Sequence, residues 1–260
     1  MSAFLLSAGT LWQREIVRFV RQRSRIIGAL GQPLLFWLLL GSGFGESFRS
    51  GGAATGGGYL EYFYPGILAM VILFTAIFAT IAVVEDRKER FLQAVLVSPA
   101  PRSAIVLGQA LGSTTLALIQ GFILLGAAPF AGVPITAGSA IGAAAVMCLI
   151  GFMLSSLGLA FAWRMDSTQG FHSVMNLVLL PLWLLSGAVF PAMSAHPILE
   201  WLMKINPLSY GVSALRRTLY AAEPGAWAHL PELGPSLAIT ALFGFIFFMV
   251  AVRHAGQSEG

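Results

Sequence analysis

The chain has 260 residues, 57% of them hydrophobic and 10% charged, whereas a soluble domain carries about 25% charged residues. With a mean hydropathy of +0.81 and its polar side chains gathered in a few islands, this composition excludes a water-soluble globule and reads as several membrane-spanning helices. The net charge of +4 does not point to nucleic acid, because the basic residues flank apolar runs and form no continuous soluble patch.

In the first 25 residues, Phe4, Ala8, Leu11, Trp12, Ile16, Phe19 and Val20 recur at helical spacing, and Arg14, Arg18, Arg21 and Arg25 form a basic stripe on another face. The pattern predicts an amphipathic helix over 1–25 lying in the headgroup plane, where acidic lipids favour each basic residue by about 1 kcal/mol. The many arginines and the lack of a small-residue cleavage pattern argue against a signal peptide, so this helix is expected to stay on the chain.

Apolar windows of about 20 residues predict spans near residues 26–43, 60–84, 104–130, 138–163, 171–189 and 235–252. The expected fold is an all-α polytopic membrane domain over 26–260 with six transmembrane helices, both termini on one side. Eleven of the lysines and arginines fall on the side of the termini and four on the other, so the positive-inside rule makes the terminal side cytoplasmic.

Between the second and third spans lies a charged island, Glu85-Asp86-Arg87-Lys88-Glu89-Arg90. Phe91, Leu92, Val95 and Leu96 follow at amphipathic spacing, and then Ser98-Pro99 as a stop. This predicts a short helix held just outside the membrane on the cytoplasmic side, where a soluble partner can grip it.

The glycine-rich stretch 50–58 reads as a flexible outer connection, and Glu61 beyond it as an interfacial residue. The outer segment 190–234 is apolar but cut by Pro191, Pro197, Pro207, Pro224 and Pro231. Asn206 suits a helix cap with Pro207 at the first helical position, and Leu208, Val212, Leu215 and Leu219 then repeat on one face. Short helices dipping into the outer leaflet follow from that pattern, shielded by the other spans or by a second subunit.

Catalytic constellations are hard to find. A P-loop needs Gly-x-x-x-x-Gly-Lys-Ser/Thr, but the two lysines, Lys88 and Lys204, are followed by Glu89 and Ile205. Gly41, Gly43 and Gly45 end an apolar helix without the βαβ context of a nucleotide loop. His196 and Glu200, one turn apart, fall short of the three or four ligands zinc takes, and the single Cys148 offers neither a disulfide nor paired thiolates. No nucleophile elbow is present. Gly108-x-x-x-Gly112 and Gly138-x-x-x-Gly142 permit close helix approach, within the chain or between copies. Of the polar residues inside spans, Gln32, Thr75, His172 and Asn176 are the candidates for a substrate route, against the alternative that such groups are helix glue.

The basic helix before the first span, the island Glu85 to Arg90 with Leu92, Val95, Leu96, Ser98 and Pro99, and Asn206-Pro207-Leu208-Ser209-Tyr210 with Leu215-Arg216 occur in an order that resembles the permease subunits of ABC-2 type ABC transporters. The resemblance covers nearly the whole chain. It implies an export permease in a bacterial cytoplasmic membrane, paired with a second permease copy or homologue and two soluble ATPase subunits that carry ATP and Mg, with no cofactor on this chain itself. It further implies that residues 85–99, through Glu85, Asp86, Arg87, Glu89, Arg90, Phe91, Leu92, Val95, Leu96, Ser98 and Pro99, form a coupling helix docking on the ATPase. Pro191, Pro207, Tyr210 and Arg216 would then belong to re-entrant helices closing the outer end of the route. Two other classes stay open on the residues alone: a polytopic membrane enzyme acting on lipids, and a non-transporting anchor for an ATPase.

Overall fold

A computed structural model describes residues 3–21, 31, 35, 39, 59–89, 91–96, 100–189, 196–221, 227 and 230–257. Every regular element among them is helical: α1 (Ala3–Arg21), α2 (Tyr59–Ala79), α3 (Ile81–Lys88), α4 (Phe91–Leu96), α5 (Arg102–Gly126), a 3-10 turn (Ala128–Ala131), α6 (Ala137–Ala162), α7 (Thr168–Leu184), α8 (Pro197–Ile205), α9 (Pro207–Leu219) and α10 (Leu233–Gln257). Among the described residues, four helices are long and apolar enough to cross a membrane: Glu61–Lys88, which runs through α2 and α3, then Arg102–Gly126, Ala137–Ala162 and Leu233–Gln257. They coincide with the second, third, fourth and sixth expected spans. The first expected span, with Gln32, falls outside the described residues apart from helical positions 31, 35 and 39. The fifth corresponds to α7, which has 17 residues and carries Pro181 within it.

The Glu61–Lys88 helix forms the centre, with 94% of its most apolar window buried, and α10 is peripheral at 22%. A helix apolar on every side suits both places, since its surroundings are either other helices or lipid. Two local devices shape the central helix. Pro65 lies inside α2 and has no N–H to give the carbonyl of Glu61; the Tyr220 hydroxyl donates to that carbonyl instead, at 2.7 Å. At Thr80, between α2 and α3, the backbone N–H bonds the Ile77 carbonyl in a tight turn and the side-chain hydroxyl donates to the same oxygen at 2.7 Å. A Cβ on Gly158 of α6 would lie 2.6 Å from Thr80 Oγ1, so only glycine lets α6 pass there.

Helix starts follow their side chains. Thr136 and Ser139 form a capping box at α6, and Ser167 accepts from Gly170 N at α7. Asn206 Oδ1 accepts from Leu208 N at 2.9 Å, with Pro207 opening α9. The Asn206 amide also donates to Leu182 O at 2.7 Å, tying α9 to α7. Leu208, Val212, Leu215 and Leu219 all face the core.

α1, expected to lie in the headgroup plane, packs along α5. Ala8 and Leu11 pack on Gly108 and Glu15 on Gly112: a Cβ at Gly108 would meet Ala8 O at 2.6 Å, and one at Gly112 would meet Glu15 Cβ at 2.7 Å. Further along, Phe19 joins Leu116 and Ala79. α1 therefore advances along α5, and the Gly108-x-x-x-Gly112 pair serves an approach within the chain. In the other pair, a Cβ on Gly142 would strike the Thr218 methyl carbon at 2.5 Å.

Candidate functional site

The charged island is where α1, α3 and α4 meet. Arg14 donates to Asp86 through both terminal nitrogens, Nη1 to Oδ2 at 2.6 Å and Nη2 to Oδ1 at 2.8 Å. Arg18 bridges the two acids, Nη1 to Asp86 Oδ1 at 2.8 Å and Nη2 to Glu85 Oε2 at 2.6 Å. The Asp86 side chain is 1% exposed, against 29% for Arg14 and 20% for Arg18, so the carboxylate is the sunken member of the cluster. Its hydrogen bond is the largest influence on Arg14 and holds that guanidinium above its ordinary pKa, against the opposing effect of burial. Bidentate arginine-carboxylate geometry fixes orientation as well as distance.

Arg14 and Arg18, expected to face acidic lipid, face Glu85 and Asp86, and Asp86 is covered by α1 within its own chain. Arg21 stays exposed at the end of α1, and Trp12 donates from its indole to Thr115 Oγ1 at 3.0 Å. Arg25 lies outside the described residues. Arg87 turns the other way and donates to the Trp163 carbonyl at 2.8 Å, one of the acceptors left over at the end of α6. Its contact with Asp166, 3.2 Å long and 91% exposed on the acid side, adds little. Also at this end, His254 donates from Nδ1 to Ala160 O at 2.7 Å and Arg164 to Gln257 at 3.2 Å. What remains outward is Lys88, Glu89 and Phe91, with the Arg14 guanidinium 3.9 Å from the Phe91 ring centre. Leu92 is buried and Val95 half-buried, and Leu96 ends α4. Arg90, Ser98 and Pro99 lie outside the described residues.

Of the expected route residues in the described part, His172 and Asn176 share one face of α7 and Thr75 turns toward α5. Thr75 is buried and donates to Gln120 Oε1 across α2 and α5, while Thr114 Oγ1 sits 3.4 Å from Ser155 Oγ between α5 and α6. His172 and Asn176 lie on the exposed face of α7, with the His172 ring 5.0 Å from that of Phe78. Gln109 Oε1 and Gln120 Nε2 are buried without a hydrogen-bond partner.

The opposite end is organised around Arg216, which is 2% exposed. Its guanidinium lies 4.2 Å from the Tyr62 ring centre and 5.0 Å from that of Trp227. Nη2 donates to the carbonyls of Tyr62 at 3.1 Å and Gly187 at 3.3 Å. Tyr210 donates to Lys204 O at 2.7 Å, and Pro207 is buried at the head of α9. Pro191 lies outside the described residues. Tyr62 and Trp227 were not among the expected functional residues. Arg216 follows Val212 by four positions and precedes Leu219 by three, so the buried face of α9 already contained it.

A bundle of apolar helices, with one end locked by ion pairs and the other by a caged arginine, defines an integral membrane protein. The model of the ABC-2 type transporter family matches residues 7–220, and the chain belongs to that family as a transmembrane permease subunit of an ABC transporter. It is 27% identical over 218 residues to nodulation protein J of Rhizobium leguminosarum bv. trifolii, covering 79% of this chain and 78% of that protein. It is 24% identical over 260 residues to the putative transport permease ycf38 of Cyanophora paradoxa, covering 95% and 88%. Against the inner membrane transport permease YadH of Escherichia coli (strain K12) the identity is 25% over 219 residues, covering 83% and 84%.

Proposed function

We propose that this permease is the export subunit of an ATP-driven transporter, with six spans, both termini cytoplasmic, in a bacterial inner membrane. It pairs with a second permease and is driven by two separate ATPase subunits that bind ATP and Mg. The ATPase docks on residues 85–99, and the Pro191 to Arg217 region closes the outer end.

The observation that carries this reading is the clamp of Arg14 and Arg18 on Glu85 and Asp86. It ties α1 to the foot of the central helix, so a force applied to α4 acts on two elements of the bundle and not on a loose loop. In this reading Glu85, Asp86 and Arg87 hold the docking segment from behind, and Glu89, Phe91 and the chain after them make the contact. Phe91, 36% exposed, is an apolar anchor of the type that fills a partner's pocket.

The test is co-purification of the full permease with its ATPase subunit, with ATP turnover measured in the assembled complex. Glu89→Lys and Phe91→Asp should each reduce ATPase recovery at least about tenfold while leaving membrane insertion intact. Full recovery and unchanged turnover in both variants would remove the docking assignment.

A further inference from the structure

Beside Arg216 lies a half-open cavity of about 610 Å³ whose walls include Tyr62, Met203, Tyr210, Val212, Ser213 and Arg216. Three further charges line it. Lys204 and Glu200 neutralise each other at 2.7 Å, and Glu232 is exposed, where solvent screens it. Arg216 is different: it is almost wholly buried, its Nε has no hydrogen-bond partner, and among the described residues its contacts are two carbonyls and two aromatic rings, with no carboxylate. Two carbonyls and two ring faces contribute partial negative charge only. A buried cation normally acquires a full counterion or loses its charge, and a guanidinium does not lose its charge.

We propose that this cavity is a binding site for an acidic oxyanion headgroup on an apolar body, with the anion on Arg216 and the apolar part against Met203, Val212 and Leu230. The arginine fork matches an oxyanion in shape and charge, the lining supplies apolar wall beside it, and the volume lies within the range of small-molecule sites. The site faces the end of the bundle opposite the Asp86 clamp. Tyr62 and Asp86 are 24 positions apart on the central helix, about 36 Å at 1.5 Å per residue. The inference concerns what occupies this cavity and does not depend on a motor partner, so it can fail while the export proposal stands, and the reverse.

The experiment measures equilibrium binding to the full chain in a neutral maltoside detergent, using dioctanoyl phosphatidic acid, the uncharged dioctanoylglycerol and inorganic phosphate. Saturable binding of the phosphatidic acid is expected, with the glycerol binding at least tenfold more weakly. Arg216→Gln should weaken the acid at least tenfold. Ser213→Asp, which puts a carboxylate one turn from a retained Arg216, should do the same and serves if Arg216→Gln fails to fold. Competition by inorganic phosphate supports the site with a free anion sufficing; binding without that competition supports it with the apolar body required. Equal binding of the acid and the glycerol, or binding within twofold of the parent in a folded variant, overturns the proposal.

Discussion

Replacing Asp86 by Asn keeps the side-chain volume and removes the charge on which Arg14 and Arg18 converge. The carboxylate accepts three arginine hydrogen bonds between 2.6 and 2.8 Å, and an amide can no longer accept at both ends because one now carries N–H. A hydrogen bond to a charged group contributes about 1.5–3 kcal/mol, and breaking a buried ion pair costs about 3–5 kcal/mol. Both arginines are a fifth to a third exposed and can rehydrate, so the lower part of the range applies, about 2–3 kcal/mol. That loss falls on the attachment of α1, which is held otherwise by Ala8, Leu11 and Phe19 against α5 and its neighbours. Trypsin reads it directly, because Arg14 and Arg18 are themselves cleavage sites and the substitution leaves them intact. When opening is fast relative to cleavage, the rate follows the open population, so cleavage within α1 should accelerate about 30- to 150-fold at 1.4 kcal/mol per decade. A rate within threefold of the parent, with helicity unchanged, would mean the cluster does not hold α1.

Gly108→Val places carbon against the Ala8 carbonyl and should destabilise the fold by about 1–3 kcal/mol, seen as a lower thermal midpoint; an unchanged midpoint would exclude the close approach of α1 to α5. Tyr220→Phe removes the donor that serves the Glu61 carbonyl and should cost about 1 kcal/mol. In a Pro65→Ala background the helix regains its own N–H, so the same change should cost well under half as much, and equal costs in both backgrounds would sink that account of the proline. A cycle between Arg14→Gln and Asp86→Asn should show coupling of about 1.5 kcal/mol or more, and additive losses would place the two side chains apart.

Apolar length was sufficient to locate the central helix, α5, α6 and α10, because a span must satisfy its own backbone and so takes one form over a predictable distance. Asn206-Pro207 was legible for the same local reason, a cap and a ring that prefers the first helical position. The partners of the charges were not. The arginine stripe of α1 looked available to lipid, but the acids that claim it lie about 70 positions further on, and nothing at short range marks that pairing. Arg216 and Arg217 look alike in sequence, yet the first is caged by Tyr62 and Trp227 while the second reaches the carbonyls of Leu230 and Pro231. One residue of rotation around α9 separates those fates. Thr75 and His172 were grouped by polarity alone; the partner of Thr75, Gln120, lies 45 positions further on and was equally invisible at short range.

The most apolar of the four long helices is also the one least in reach of lipid. In water that would need no comment, but between lipid tails there is no hydrophobic reward for moving an apolar helix inward. Its central place rests on close fit, such as Gly66 against Ala188 and Gly158 against Thr80, and on anchors such as the Trp183 indole donating to Gly66 O. This bears on assembly: by hydropathy the central segment, the most apolar of the four, needs the least help from neighbours to cross a bilayer, whereas α5, the least apolar and carrying Gln109 and Gln120, needs the most. A nascent chain can therefore leave the core standing as a lone rod until the rest of the wall is built around it.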